Sequence, residues 1–331
     1  MIVDAHLDLA YGALELGRDL TLPLAEIRKR DPGTEGMPTV TLPALQEGGV
    51  ALVFATLFAP PRKCSDPETA HRAALAQLDV YRRWQEAGWV RLVTNKAELE
   101  AHLTAWESDR VTGLVVLMEG AEPVREPKEV SFWAEQGVRL IGPSWNRTRY
   151  AGGTREPGGL TELGRELLAA MQEHRLALDL SHMDEQAVGE AFELWRGPLC
   201  ATHSNARALM GGWDSPLANR HLSDETIRTI ALRGGIVGVV LYNLFLDPAW
   251  HRGMPRVPLR VVQTHLEHNA RLTGWAHLGI GSDFDGGFGR DENPEGLDQP
   301  GDLAKIGDLL PEGARAGVLG ENWLRWLRSW L

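Results

Sequence analysis

Eight short apolar runs are spaced along the whole of this sequence, and most are rich in Val, Ile or Leu with no alternation of polar and apolar residues. They are Ile2–Val3, Ala51–Phe58, Gly113–Met118, Val138–Ile141, Leu176–Leu180, Leu199–Thr202, Ile236–Leu241 and Leu278–Gly281. A strand with one face in water alternates, whereas a strand buried on both faces does not. The first run is too short to stand alone and is read as a strand from its context. Segments of helical character separate most of the runs. Strands that alternate with helices pair in parallel through crossover units, and eight such units close naturally into a barrel. The expected fold is α/β, a (β/α)8 TIM barrel. Residues 1–331 are expected to form a single domain, since barrels of this kind routinely reach this length.

The intervening segments carry helix signals. Glu68 to Ala87 is amphipathic, with Leu75, Leu78 and Tyr81 at helical spacing. Thr161 is placed to cap a helix over Leu160–His174, and Ser223 to cap the one that opens with Asp224-Glu225. Trp323, Trp326 and Trp330 recur three and four residues apart, as on a buried helix face. The stretch from Arg28 to Pro43 mixes Pro, Gly and charge and reads as a mobile loop over the barrel mouth. Cys64 and Cys200 allow one disulfide, but no scaffold is stapled by them, and Cys200 sits in a core run.

Charge narrows the function. Asp and Glu total 45 against 34 Lys and Arg, for a net charge of -11. That excess argues against nucleic acid or an anionic membrane as partner. It also disfavours anionic substrates unless bound cations reverse the local field. No apolar run reaches the roughly 18–20 residues that span a bilayer. No signal peptide is visible at Met1–His6. The expectation is a cytoplasmic protein with a small-molecule or dipeptide substrate, no nucleic-acid partner and no membrane partner. A homodimer is left open.

In a parallel barrel the active site lies at the C-terminal ends of the strands. The residues there are His6-Leu7-Asp8, Glu119-Gly120, Asp179-Leu180-Ser181-His182, Thr202-His203-Ser204 and Ser282-Asp283-Phe284-Asp285-Gly286. In a strand, positions i and i+2 point the same way, so His6 and Asp8 can bind one ion together. Each residue alone has an ordinary structural explanation. Together, five ligand-type residues fall at one end of one barrel, and burying them without a cation is costly. Imidazole with carboxylate suits zinc or a similar divalent metal. Five ligands exceed the three that one catalytic zinc usually takes. Two divalent ions fit better: His6 and Asp8 on one, His182 and His203 on the other, Glu119 bridging. None of the five lysines ends an apolar run, which argues against a carboxylated-lysine bridge. The remaining histidines read as packing or solvated residues.

These motifs, in this order, resemble the membrane (renal) dipeptidase family of metallo-dependent hydrolases. Met118-Glu119-Gly120, His203-Ser204-Asn205-Ala206-Arg207, Asn219-Arg220-His221-Leu222-Ser223-Asp224-Glu225 and Gly281 to Gly286 carry the likeness, with Gly320-Glu321-Asn322-Trp323 near the end. The resemblance implies a binuclear zinc barrel that hydrolyses dipeptides, with the five ligands in the roles just given. It implies that Arg220 grips the substrate carboxylate and that Asp283 is the acid/base. One departure stands out. The family has a histidine three residues before the asparagine that here is Asn146, and this chain has Pro143 there. That histidine contacts the reacting carbonyl in the family. Trp145, Asn146, Arg147 and Tyr150 are candidates to replace it, with Asn146 first because its amide can donate. Two other readings stay open: an amidohydrolase acting on N-acyl amino acids or lactones, and a metal-loaded binding protein without catalysis.

Overall fold

The computed structural model describes residues 1–331 except Pro32 and Pro216. All eight expected runs are strands, and they form the barrel. They are β1 (Ile2–Leu7), β2 (Val50–Phe58), β3 (Thr112–Glu119), β4 (Val138–Gly142), β5 (Ala177–Asp179), β6 (Leu199–Cys200), β7 (Val237–Val239) and β8 (Leu278–Ile280). Sequence neighbours pair in parallel from β1 through β6 and again from β7 to β8, and β8 pairs with β1. A parallel bridge from Ala201 to Val237 brings β6 against β7 and nearly completes the ring. Ile2–Val3 becomes a six-residue strand with every residue buried, so its context was a sound guide.

Two apolar layers hold the barrel. The interior is filled by side chains such as Val3, Leu52, Phe54, Val115, Leu117 and Leu140. The outer layer packs strands against the surrounding helices. Inward side chains on β3 fall at every second position, Val115, Leu117 and then Glu119. The same pleat that fills the core therefore places a carboxylate at the barrel mouth. The opposite end is closed by the last helix, Asn322–Trp330. Trp323 is fully buried, packs edge-on to Phe54 and donates from Nε1 to the carbonyl of Ile280 at 3.2 Å. Glycine is required beneath it: a Cβ on Gly279 would lie 2.1 Å from Trp323 Nε1.

The predicted helices are present at Pro67–Glu86, Glu162–Glu173 and Asp224–Leu232. Thr161 and Ser223 accept from the backbone N–H three residues on, as caps do. Three features lie outside the sequence expectations. Val90–Leu92 adds a parallel strand to the start of β3. It covers Thr112–Leu114, which β4 leaves free because its own pairing begins at Val116. An antiparallel hairpin, Ala151–Gly153 with Glu156–Leu160, stands beside the mouth. The Arg28–Pro43 stretch is not loop throughout, since Arg28–Arg30 end one helix and Leu42–Pro43 begin another. Both cysteines are free thiols, so no disulfide forms between Cys64 and Cys200. Among the described residues no helix is long and apolar enough to cross a membrane.

Removing the plug should be costly. Trp323→Ala is expected to destabilise the fold by about 3–5 kcal/mol, the usual range for emptying a buried aromatic site. Urea denaturation followed by tryptophan fluorescence measures this. A loss below about 1 kcal/mol would mean that the strands close the barrel without the C-terminal helix.

Candidate active site

Six of the ionisable residues singled out in the sequence meet at the C-terminal mouth of the barrel. His6 is in β1 and Asp8 follows it directly; Glu119 ends β3. His182, His203 and Asp283 each stand three residues beyond the last residue of β5, β6 and β8. Two of them occupy the left-handed backbone region, His182 at φ 67° and Asp283 at φ 60°. A non-glycine residue is held there only when its surroundings over-determine it. Asp283 is fixed by its backbone N–H donating to the carbonyl of His6 at 3.1 Å.

Glu119 is the centre of the cluster. Its Oε1 lies 3.4 Å from Nε2 of His6, 3.2 Å from Nε2 of His182 and 3.3 Å from Nε2 of His203. The Nε2 atoms of His182 and His203 are 3.0 Å apart, and the rings of His6 and His203 stack with centroids 3.5 Å apart. His6 Nε2 is buried with no hydrogen bond. Its approach to Glu119 is an ionic contact only. The outward ring nitrogens are engaged: Thr154 Oγ1 is 2.7 Å from His182 Nδ1, and Thr202 Oγ1 is 2.9 Å from His203 Nδ1 and 3.3 Å from His6 Nδ1. Thr202 in turn donates to Asp179 Oδ2 at 2.5 Å. Imidazoles oriented through one nitrogen and turned inward with the other are the usual arrangement of metal ligands.

Three sets of residues bring donor atoms within 4.8 Å of one another: His6, Asp8 and Asp283; Glu119, His182 and His203; His6, Asp179 and His203. The first holds His6 and Asp8 together with Asp283, and the second holds Glu119 with His182 and His203. The third is the supporting layer behind the site. Asp179 already accepts from Thr202 and from the backbone N–H of Ser181 and Thr202.

The charges fit a cation as well. Burial raises the carboxyl of Asp8 to about 7, and the charge of Glu119 adds to that rise. Burial likewise pushes Asp283 well above the usual carboxylate range, opposed by His6 and reinforced by Asp8 and Glu119. Burial lowers His182 to about 4 and holds His203 well below its ordinary value, which favours the neutral ring that a metal needs. Burial opposes protonation of His6 too. The carboxylates of Glu119, Asp283 and Asp8 outweigh it and raise His6 to about 10. Glu119 is kept well below the carboxylate range: burial would raise it, but the three imidazoles around it, His6 foremost, prevail. Positive charge is therefore what this pocket stabilises most.

A cavity of about 550 Å³ opens above the cluster, with Asp8, Glu119, His182 and Asp283 on its floor. Aromatic side chains form two walls: Tyr11, Phe58 and Trp145 on one side, and Tyr242, Phe245 and Phe288 on the other. Tyr242 and Phe288 stack at 4.2 Å. Glu35, Arg62, Arg155 and Arg252 also line it. Sequence reasoning gave none of these except Trp145 a place at the site, because they come from separate elements whose meeting only the fold shows.

The sequence model of the family described as membrane dipeptidase (Peptidase family M19) matches residues 1–330. The chain belongs to this family. An uncharacterized protein in the pqqA 5' region of Klebsiella pneumoniae is 33% identical over 261 residues, covering 73% of this chain and 90% of that one. An uncharacterized dipeptidase of Schizosaccharomyces pombe is 26% identical over 332 residues, covering 93% of this chain and 73% of that one. Among solved structures, a dipeptidase described as a metallo peptidase superposes with a TM-score of 0.83 at 27% identity, covering 99% of this chain and 98% of that one. A metallo peptidase from Rhodobacter sphaeroides, liganded with a phosphinate mimic of the dipeptide L-Ala-D-Ala, also gives 0.83. At 24% identity over 100% of this chain and 99% of that one, it attests the fold.

Within the membrane dipeptidase framework the other residues of interest are placed as follows. Arg220 is buried behind the cluster and is not part of the cavity lining. Its Nη2 donates to the carbonyl of His203 at 2.8 Å and its Nη1 to Ser204 Oγ at 3.3 Å, while Nε has no partner among the described residues. Asn146 and Trp145 line the cavity. Arg147 and Tyr150 turn away, bonded to the carbonyls of Pro157 and Val124. The Gly-rich hairpin brings Thr154 to His182, and it approaches the Asn146 loop so closely that a Cβ on Gly153 would lie 2.1 Å from the carbonyl oxygen of Asn146.

Asp285 stands apart from the donor sets. It accepts from the backbone N–H of Thr39 at 2.9 Å and of Val40 at 3.0 Å, and lies 3.5 Å from Arg18. It ties the mouth-covering stretch to the end of β8. Asp285→Ala orphans two buried donors and should cost about 1–3 kcal/mol for each, with bound metal retained. Denaturation together with metal analysis checks this. Metal loss as severe as in Asp8→Ala would instead put Asp285 among the ligands.

Proposed function

We propose that residues 1–331 form a single metal-dependent hydrolase domain that cleaves dipeptides with a free C-terminal carboxylate at a binuclear zinc site. The observation that carries this reading is the convergence of three Nε2 atoms on Glu119 Oε1 beneath the 550 Å³ cavity. His6 and Asp8 would hold one divalent cation and His182 and His203 a second, with Glu119 shared between them. Two divalent cations supply Lewis acidity toward the scissile carbonyl and toward the attacking water.

The chain's own groups do the rest. Asp283 takes the proton from the attacking water at its carboxylate and delivers it to the leaving amine. Burial raises the affinity of its carboxyl for protons, which suits a group that must accept one. The family resemblance assigns the substrate carboxylate to Arg220, which lies behind the cavity lining with Nε unpaired among the described residues and Nη1 in a weak 3.3 Å contact with Ser204 Oγ. Asn146 offers its amide to the developing oxyanion in place of the histidine that the family has at Pro143. The aromatic walls exclude water and receive the side chains of the substrate.

Metal analysis of protein purified without chelator should give two ions per chain. Glu119→Gln should weaken both, because the bridge belongs to each. Fully active protein with one ion, or loss of one ion with the other intact, would rule out the bridging scheme.

Asp283→Asn should keep the metal and lower kcat by on the order of 10²–10⁴, the usual effect of deleting a general base. Steady-state kinetics on a dipeptide panel, with metal content measured alongside, decides. Loss of metal in step with activity would make Asp283 a ligand only, and near-normal kcat would remove it from the chemistry.

A further inference from the structure

One carboxylate in the cavity wall is held by a single oxygen. Glu35 lies on the stretch that covers the barrel mouth and lines the same cavity as Asp8, Glu119 and Asp283. Its side chain is 14% exposed. Tyr11 donates its hydroxyl to Glu35 Oε1 at 3.0 Å, and Arg62 Nη2 donates to the same oxygen at 2.8 Å and to the Tyr11 hydroxyl at 2.7 Å. Both donors fix Oε1. Oε2 is buried and has no hydrogen-bond partner among the described residues.

Three readings of this group can be compared. A structural ion pair would use both oxygens or leave the second in water, and Glu35 does neither. Glu35 belongs to none of the three sets whose donor atoms lie close enough to share a metal. What remains is a ligand. A buried carboxylate oxygen is matched best by a charged donor, because its desolvation is then compensated by both a hydrogen bond and a charge.

We propose that Glu35, clamped by Tyr11 and Arg62, receives the free α-ammonium of the substrate through its unpaired Oε2. This rests on the dipeptidase reading and deepens it, because it specifies the amino end of the substrate. An α-ammonium brings three N–H donors and a full positive charge. An N-acyl amino acid or a lactone brings neither, and would leave Oε2 buried and unpaired in the complex. Sites built around a polar group reject analogues that lack it far more strongly than apolar pockets reject a missing methylene. Glu35 would thus make the site select dipeptides over acyl amino acids of the same shape.

The test compares alanyl-leucine with propionyl-leucine, which differ only in the α-amine, on the metal-loaded protein. Wild type should favour the dipeptide in kcat/KM by about 10²-fold or more. Glu35→Gln should shrink that preference by roughly 10- to 100-fold, mainly through KM for the dipeptide, with metal content per chain unaltered. If wild type hydrolyses both compounds equally well, the proposal fails without recourse to any variant. A preference that survives Glu35→Gln unchanged also overturns it, while leaving the dipeptidase reading in place. If propionyl-leucine alone is cleaved, or neither compound, the dipeptidase reading fails and the role of Glu35 goes with it.

Discussion

The meeting of His6, His182 and His203 at Glu119 is the constraint around which the rest of this structure is organised. Buried ionisable groups crowded at one point repel, desolvate and shift one another, and the cluster is tolerable only where positive charge sits among them. The neighbouring carboxylates of Asp8 and Asp283 sharpen that demand. A flexible surface would relax by letting the groups drift into water. Here they cannot drift, because each is fastened at the end of a buried strand or within three residues of one.

That rigidity is built from below. The inward positions of β3 run from Val115 through Leu117 to Glu119, so this carboxylate stands on a packed apolar column. Trp323 closes the far end and is held between β8 and Phe54. At the mouth, polar contacts take over from packing. Asp179 orients Thr202, and Thr202 faces both His6 and His203. Asp4, buried one turn of the pleat below His6, accepts from the backbone and side chain of Ser282 and so registers β1 against the loop that carries Asp283. Two elements that carry residues of the cluster, separated by most of the sequence, are thereby locked to each other.

How legible all this was depended on the kind of signal. The barrel strands could be read because burial on both faces removes alternation, leaving runs such as Val50–Phe58 conspicuous. The cluster could be read because fold geometry assigns strand ends a common place, so His6, Glu119, His182, His203 and Asp283 needed no mutual spacing. Val90–Leu92 escaped because three residues carry no period. The hairpin at 151–160 escaped because Ala-Gly-Gly and Glu-Pro-Gly-Gly-Leu have no strand propensity. Its pairing comes from backbones that only glycine allows to approach. The free oxygen of Glu35 was invisible for another reason. The sequence places Tyr11, Glu35 and Arg62 far apart, and only the folded mouth shows that two donors converge on one acceptor.

The loop after β4 shows how a chemical position can change while the site around it is kept. Pro143 has no side-chain donor, but its carbonyl accepts from Thr148 Oγ1 at 2.7 Å and from the backbone N–H of Ala121 at 3.4 Å. Both bonds use the main chain, which proline retains on its acceptor side. The second ties this loop to the residues just after Glu119. The position at 143 therefore keeps its structural task, setting where the loop leaves the barrel, whatever its side chain is. Trp145 and Asn146 are carried to the cavity by that main-chain anchor and by the close approach of Gly153, and Trp145 packs there against Phe58 and His182. With that main-chain anchor in place, proline at 143 leaves the placement of Trp145 and Asn146 intact, so under the proposed function a donor two or three residues further along serves at the cavity without any rearrangement of the His6, Glu119, His182 and His203 cluster.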